Sequence, residues 1–278
     1  MIGCETGSDC DSTPIARALY NLTVTTTRDI YVERIDATVR KSDTDRVVVE
    51  APLQIRARGV PVATVMRTPG HDLELVRGLL HAESVAAGAL AQVDEDAIDV
   101  DVDATAFAGR GLLASAACGV CGRVAIADLE LRAQSVTADT SIDSGVLAKL
   151  PDTLRAAQDV FGDTGGLHAA GLFSTSGALI ASREDVGRHN AVDKLVGWAL
   201  AETTRGKLVD PSKHVLFLSG RAGYELVQKA IMFGVPIVAS VSAPSSLAIE
   251  LAERFNVALA GFVRGSRCNI YSHGWRIP

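Results

Sequence analysis

The residues of this chain best equipped for covalent chemistry are two thiols, Cys118 and Cys121, in the run Ala116-Ala117-Cys118-Gly119-Val120-Cys121-Gly122-Arg123. At this spacing both sulfurs can reach one another, one metal ion, or one sulfur atom in transit. The neighbouring Ala and Gly residues are too small to bury either sulfur. Open glycine amides and Arg123 supply what a thiolate needs, exposure and a lowered pKa. Four chemistries use such a pair. Structural zinc needs four ligands, and no second Cys-x-x-Cys or His-x-x-x-His occurs. Thioredoxin-like exchange prefers a strand-to-helix junction beside Trp and Pro, and neither residue is here. Zinc-dependent deamination uses His-x-Glu followed by Pro-Cys-x-x-Cys. The chain offers His81-Ala82-Glu83, but Ala117 stands where the proline belongs and the His-x-Glu ends a predicted helix. That reading ranks second. Sulfur carriage asks for an exposed, activated thiolate on a mobile loop, which accepts a persulfide's outer sulfur and releases it.

The elements that must position this pair follow from pattern. With 278 residues, 47% of them apolar, the chain can build one large domain or two intimately packed ones. Tyr31–Val39 alternates as a half-buried strand. A turn is expected at Asp43-Thr44-Asp45, then short strands at Val47–Val49, Leu53–Ile55 and Val60–Met66, paired antiparallel. Asp72–Ala82 reads as a helix with Leu73, Val76, Leu79 and Leu80 on one face, and β structure returns at Ile98–Val102. The thiols then fall in a Gly/Ala/Ser-rich stretch expected to be a loop.

The second half changes rhythm. A helical segment is expected over Asp143–Phe161, restarted at Pro151. Strands are predicted at His168–Ser174, Ala178–Ser182, His214–Ser219, Pro236–Val241, Val257–Val263 and Asn269–Ser272. Helices are predicted at Ala191–Thr203, Tyr224–Phe233 and Ser246–Phe255. This alternation implies parallel strands covered by helices, an α/β fold. The joints Ser219-Gly220-Arg221-Ala222-Gly223 and Ser242-Ala243-Pro244-Ser245-Ser246 would then lie at the carboxyl edge of the sheet. Free helix-start amides there favour anions, and Arg221 points to phosphate. Ordinary Ser and Gly capping explains each joint taken alone.

Composition narrows the function. Five cysteines (Cys4, Cys10, Cys118, Cys121, Cys268) are odd in number and irregularly spaced, which argues against a disulfide framework. No apolar run is long enough to cross a bilayer. Met1–Asp11 lacks the basic start and apolar centre of a secretory signal, so a cytoplasmic, membrane-free protein is expected. A net charge of −6 gives no footprint for nucleic acid, while leaving room for a local basic pocket.

Several further motifs accompany the thiols in order: Gly165-Gly166-Leu167-His168-Ala169-Ala170-Gly171, the run Glu184-Asp185-Val186-Gly187-Arg188-His189-Asn190-Ala191-Val192-Asp193-Lys194, Ser219-Gly220-Arg221, and Gly261-Phe262-Val263-Arg264-Gly265-Ser266-Arg267. With Cys118-Gly119-Val120-Cys121-Gly122 they resemble the formate dehydrogenase accessory sulfurtransferase family, FdhD, from about Tyr31 to Trp275. The resemblance implies a sulfurtransferase that takes persulfide sulfur from a cysteine desulfurase. It would deliver that sulfur to the molybdenum cofactor, bis-molybdopterin guanine dinucleotide, before insertion into formate dehydrogenase. It implies Cys118 as the persulfide site, Cys121 as an accessory thiol, and cofactor contact by Phe262, Val263, Arg264, Gly265, Ser266 and Arg267. It also implies a three-layer second half similar to cytidine deaminases without their zinc. The expected organisation is a leader over 1–28, a β-rich part over 29–140 carrying the thiol loop, and a deaminase-like α/β part over 141–278. A homodimer is expected. The rivals are a zinc-dependent deaminase-like hydrolase and a non-catalytic cofactor chaperone. Asp185, Arg188 and His189 are expected to line a pocket, His168 to be a satisfied core histidine, and Cys268 to be buried and inert.

Overall fold

The computed structural model describes residues 25–86, 88–107, 129, 130 and 132–278. The thiol loop with Cys118, Cys121 and Arg123 lies outside the described residues, as does the predicted leader with Cys4 and Cys10, apart from its final residues.

The second half is built on a six-stranded sheet. Its strands are β7 (His168–Ser174), β8 (Leu179–Asp185), β9 (His214–Leu218), β10 (Ile237–Ser240), β11 (Ala258–Arg264) and β12 (Arg267–Ser272). Their order is β12-β11-β10-β9-β7-β8. Only β9, β10 and β11 run parallel; β7, β8 and β12 are antiparallel to their neighbours. The expectation of parallel strands therefore holds for the centre and fails at the flanks. There β7 and β8, and β11 and β12, are joined by tight turns and can only pair antiparallel.

Side-chain alternation divides the sheet into two buried faces. Leu172, Leu216 and Leu259 meet the helices α5 (Arg188–Thr204), α6 (Tyr224–Phe233) and α7 (Ser246–Arg254) through Val192, Leu195, Leu226, Val227 and Leu251. Phe173, Val215, Phe217 and Ala239 face α2 (Ser144–Leu147) and α3 (Leu150–Ala156) through Leu147, Leu150 and Leu154. The result is three layers. The segment expected as one helix over 143–161 is three short ones, ending in α4 (Asp159–Thr164). Asp143 caps α2 by accepting from the Val146 amide at 3.0 Å, and Pro151 sits in the first turn of α3.

In the first half, β3 (Ala51–Ala57), β4 (Val60–Arg67), β5 (Leu90–Asp94) and β6 (Ala97–Val100) form a sheet of order β4-β3-β6-β5. Helix α1 (Asp72–Ala82) covers it through Leu75, Val76 and Leu80, which pack on Leu53, Ile55 and Ile98. Strands β1 (Thr27–Asp36) and β2 (Val39–Val48) form a separate ribbon. The turn expected at Asp43–Asp45 is absent: β2 runs through it, and the chain reverses at Ala37-Thr38 instead. Those carboxylates serve cross-strand ion pairs, Arg34 reaching Asp43 at 2.7 Å and Asp45 at 3.0 Å.

The two halves meet where α1 crosses α5. A β-carbon on Gly78 would lie 1.9 Å from the Asp193 carbonyl oxygen, and one on Gly197 would lie 1.8 Å from that of Glu74. Glycine at both positions lets the two backbones touch. Across the same junction Arg183 of β8 grips Glu74 of α1 with bonds of 2.6 and 2.9 Å.

Candidate functional site

The carboxyl ends of β9, β10 and β11 share one edge of the large sheet, and the antiparallel β7 contributes its first residue there. Four segments converge on this edge: the hairpin between β11 and β12, the two predicted strand-to-helix joints, and the start of α5.

The hairpin carries the predicted cofactor residues. Gly265 and Ser266 form its turn, with Gly265 at φ 54°. Val263 is fully buried in the core, so Phe262, Arg264, Ser266 and Arg267 are the side chains left outside. Two features of this hairpin are costly for folding. Phe262 adopts φ 53°, the left-handed region that an aromatic residue rarely occupies, and the residue is 41% exposed. Arg264 and Arg267 are direct cross-strand partners, so two like charges face each other. Among the described residues Arg267 has no bonded partner, and Arg264 donates only to the Val241 carbonyl, at 3.3 Å. An aromatic face beside paired guanidinium groups can stack on a heterocycle and hold phosphate oxygens.

The two joints differ. In the second, Ser245 caps α7 by accepting from the Ala248 amide at 3.2 Å, so this is ordinary capping. Gly261 lets it pack closely, since a β-carbon there would lie 2.9 Å from Pro244 and 3.0 Å from the Ser242 carbonyl oxygen. In the first joint, α6 starts from Gly223 with no side-chain cap. Helix α5 likewise starts from Gly187 uncapped by any side chain. A contact between Nε2 of His189 and the Glu225 carboxylate ties the first turns of the two helices together. His168 is half-buried against Gly220 at the edge of the core. Burial, reinforced by Arg188, His189 and Arg221, holds its imidazole below the ordinary histidine pKa.

Residues 48–278 match the FdhD/NarQ family. The chain belongs to that family. It is 45% identical over 260 residues to "Sulfur carrier protein FdhD" of Nocardia farcinica, covering 86% of this chain and 90% of that one. It is 46% identical over 250 residues to the protein of the same name from Thermoplasma acidophilum, covering 84% and 87%. The fold is similar to the crystal structure of a putative formate dehydrogenase accessory protein from Desulfotalea psychrophila. That likeness has a TM-score of 0.73 at 22% identity, over 91% of this chain and all of that one.

In this FdhD/NarQ chain, the Glu184–Lys194 run divides between structure and surface. Asp185 is wholly buried and fully engaged. It pairs with Lys194 at 2.7 Å and accepts from the amides of Thr68 at 3.1 Å and Gly187 at 2.8 Å, and from the Asn190 side chain at 2.8 Å. Asp185 is therefore a clasp and not a pocket-lining group. The side-chain amide of Asn190 also donates to the Met66 carbonyl at 2.8 Å, joining α5 to β4. Lys194 completes the joint by donating to the Thr68 carbonyl at 2.8 Å. Arg188 and His189 stay at the edge. His81 spends Nε2 on the Met232 carbonyl at 2.9 Å, at the end of α1. Cys268 is partly enclosed against the core.

The described residues on either side of the two thiols lie in different cores: Phe107 is buried with Leu75 and Val76, and Leu129 among α5, α6 and α7. Sequence reasoning missed the clasp and the cross-strand arginine pair. The signal for the pair was the two-residue spacer Gly265-Ser266, which fits a tight hairpin.

Proposed function

We propose that this protein is a sulfur carrier and sulfurtransferase serving formate dehydrogenase. Its thiols take persulfide sulfur from a cysteine desulfurase and pass it to molybdenum in bis-molybdopterin guanine dinucleotide. The Arg264–Arg267 pair beside the strained, exposed Phe262 supports this reading most strongly. Facing cations gain a partner when phosphate arrives, and the aromatic face suits guanine or pterin. The names of the relatives support the sulfur-carrying half.

In the loading step the Cys118 thiolate attacks the outer sulfur of the donor persulfide. A new S–S bond forms at Cys118 as the donor's S–S bond breaks, and the donor cysteine leaves as a thiolate. For release, Cys121 attacks the inner sulfur of the Cys118 persulfide. This forms a Cys118–Cys121 disulfide and frees sulfide for the cofactor. A dithiol reductant then restores both thiols. The cofactor is cargo, held at the sheet edge by the hairpin.

The test is intact-protein mass spectrometry after incubation with a desulfurase and cysteine. The wild type should gain one sulfur, removable by reductant. Cys118→Ala should gain none, while Cys121→Ala still loads. Loading that survives in Cys118→Ala and vanishes in Cys121→Ala would reverse the two roles. No adduct on Cys121→Ala, in which Cys121 cannot discharge the persulfide, would end the carrier reading.

A further inference from the structure

We propose that the cavity between the start of α1, the end of α5 and strand β5 binds a small organic acid, with Arg77 as the anchor for its carboxylate. The cavity measures about 360 Å³. It lies at the far end of α5 from the sheet edge; at 1.5 Å per residue, the 17 residues of that helix put it about 25 Å from Gly187. It is thus separate from the site proposed for the cofactor, and either can stand without the other.

Packing explains why the cavity exists. Helices α1 and α5 touch through their backbones, at Gly78 against Asp193 and at Gly197 against Glu74. Helices brought that close at a crossing diverge on either side of it. One turn beyond Gly197, Ala201 offers only a methyl group, and Thr204 and Arg205 follow at the end of the helix. Facing them, α1 has reached its first turn, and Gln92 of β5 lines a third side. The wedge so formed has Leu73 and Ala201 as surfaces for a short carbon chain.

Charge selects the ligand. Asp72 holds Arg67 through bonds of 3.1 and 2.9 Å. Glu74 accepts from Arg183 at 2.6 and 2.9 Å and contacts Nδ1 of His71 at 3.2 Å. Both acids in the lining are therefore already paired. Arg77 is not: half-buried, it has no hydrogen bond or ion pair among the described residues. Arg205 is bonded to Glu202 at 2.9 Å, with its own side chain largely exposed. A surface pair of this kind contributes little and can be redirected to a ligand. An unpaired guanidinium in a partly enclosed cavity is completed by a planar carboxylate, which accepts two parallel N–H bonds. A phosphate dianion fits less well. Asp72 and Glu74 stand in the same wall, and Glu74, held at about 2, stays ionised.

Two-dimensional NMR of the full chain, titrated with succinate, inorganic phosphate and sodium chloride, tests this. Succinate should saturably shift the Arg77 Nε–H signal and the amides of Gln92, Ala201 and Thr204. Arg77→Gln should weaken succinate about tenfold or more. Arg77→Lys, which keeps the charge without the fork, should fall between. Succinate should also raise the melting temperature of the wild type by mass action and leave that of Arg77→Gln unchanged. Should Arg77→Gln fold poorly, the loss of affinity in Arg77→Lys carries the test. Succinate affinity unchanged in both variants, or no saturable shift in the wild type, would overturn the site. Phosphate bound as tightly as succinate would overturn the carboxylate assignment. Chloride reproducing the shifts at equal ionic strength would reduce them to screening and overturn the site as well.

Discussion

Asp185 and Lys194 form an ion pair of 2.7 Å in which both side chains are enclosed almost completely, nine-residue neighbours in sequence that join the end of β8 to the second turn of α5. Lys194 also reaches the Thr68 carbonyl and Asp185 the Thr68 amide, so the pair clamps the end of β4 as well. Removing one partner leaves the other charge buried and alone. Lys194→Met should therefore cost about 3–5 kcal/mol in urea unfolding. The double variant Asp185→Asn/Lys194→Met should cost less than the sum of the two single variants. Strict additivity in this cycle would mean that the two charges do not interact.

Gly78 and Gly197 set the distance between α1 and α5. On propensity alone alanine would favour a helix by roughly 0.5–1 kcal/mol over glycine. Here the sign reverses, because the new methyl would overlap the backbone of Asp193 or Glu74, with no flexible side chain to give way. Gly78→Ala and Gly197→Ala should each destabilise by about 2 kcal/mol or more. Gly162→Ala is a fitting control, since nothing lies within 4 Å of its β-carbon position. A neutral Gly78→Ala would show that the helices separate at little cost.

Acid should loosen the same junction. Burial alone would raise the pKa of Glu74, but hydrogen bonds from His71 and Arg183 and the Arg183 charge outweigh it and hold the carboxyl at about 2. A folded pKa below the unfolded value of 4.5 gives stability that is fully present above pH 4.5. That stability is lost as pH falls toward 2. His168, also lowered, stabilises in the same sense: its contribution is complete above pH 6.5 and declines below it. The difference in unfolding free energy between the wild type and Glu74→Gln should shrink steadily between pH 4.5 and 2. A difference that stays constant over that interval would remove Glu74 from the account.

Much of this fold is legible in the sequence where apolar periodicity is strong. Helix Asp72–Ala82, strand His168–Ser174 and helix Tyr224–Phe233 agree with the structure residue for residue. The failures share a cause: polar residues whose partners are remote. Asp43 and Asp45 have the composition of a turn, yet Arg34 on the facing strand keeps them in β2. Asp185 looks like a pocket acid until the amide of Thr68, 117 residues away, is seen to occupy it. Helix α5 starts at Arg188 and not at Ala191, because Asn190 is bonded to Met66 and to Asp185 rather than acting as a cap. The phosphate-seeking joints are visible in sequence, but which of them is already capped is not. Ser245 closes one and Gly223 leaves the other open. The arginine pair stays hidden for a related reason. Ending β11 at Val263 and starting β12 at Asn269 removes the register that sets Arg264 opposite Arg267.

The hairpin offers a separation of stability from binding. Phe262 holds a left-handed backbone that favours glycine, and its ring is too exposed to be repaid by burial. Phe262→Gly should therefore raise stability by about 1 kcal/mol, while guanosine and GDP affinity fall with the lost stacking surface. Phe262→Ala keeps the backbone strain and should lose the affinity without that gain. Arg267→Glu replaces a repulsive cross-strand pair with an attractive one, worth a few tenths to about 1 kcal/mol of stability, while opposing phosphate. The expected pattern in melting and calorimetry is thus inverse: variants that settle the hairpin bind the nucleotide worse. If Phe262→Gly and Arg267→Glu both destabilise the fold and leave GDP affinity alone, these residues serve the architecture, and the ligand belongs elsewhere on the sheet edge.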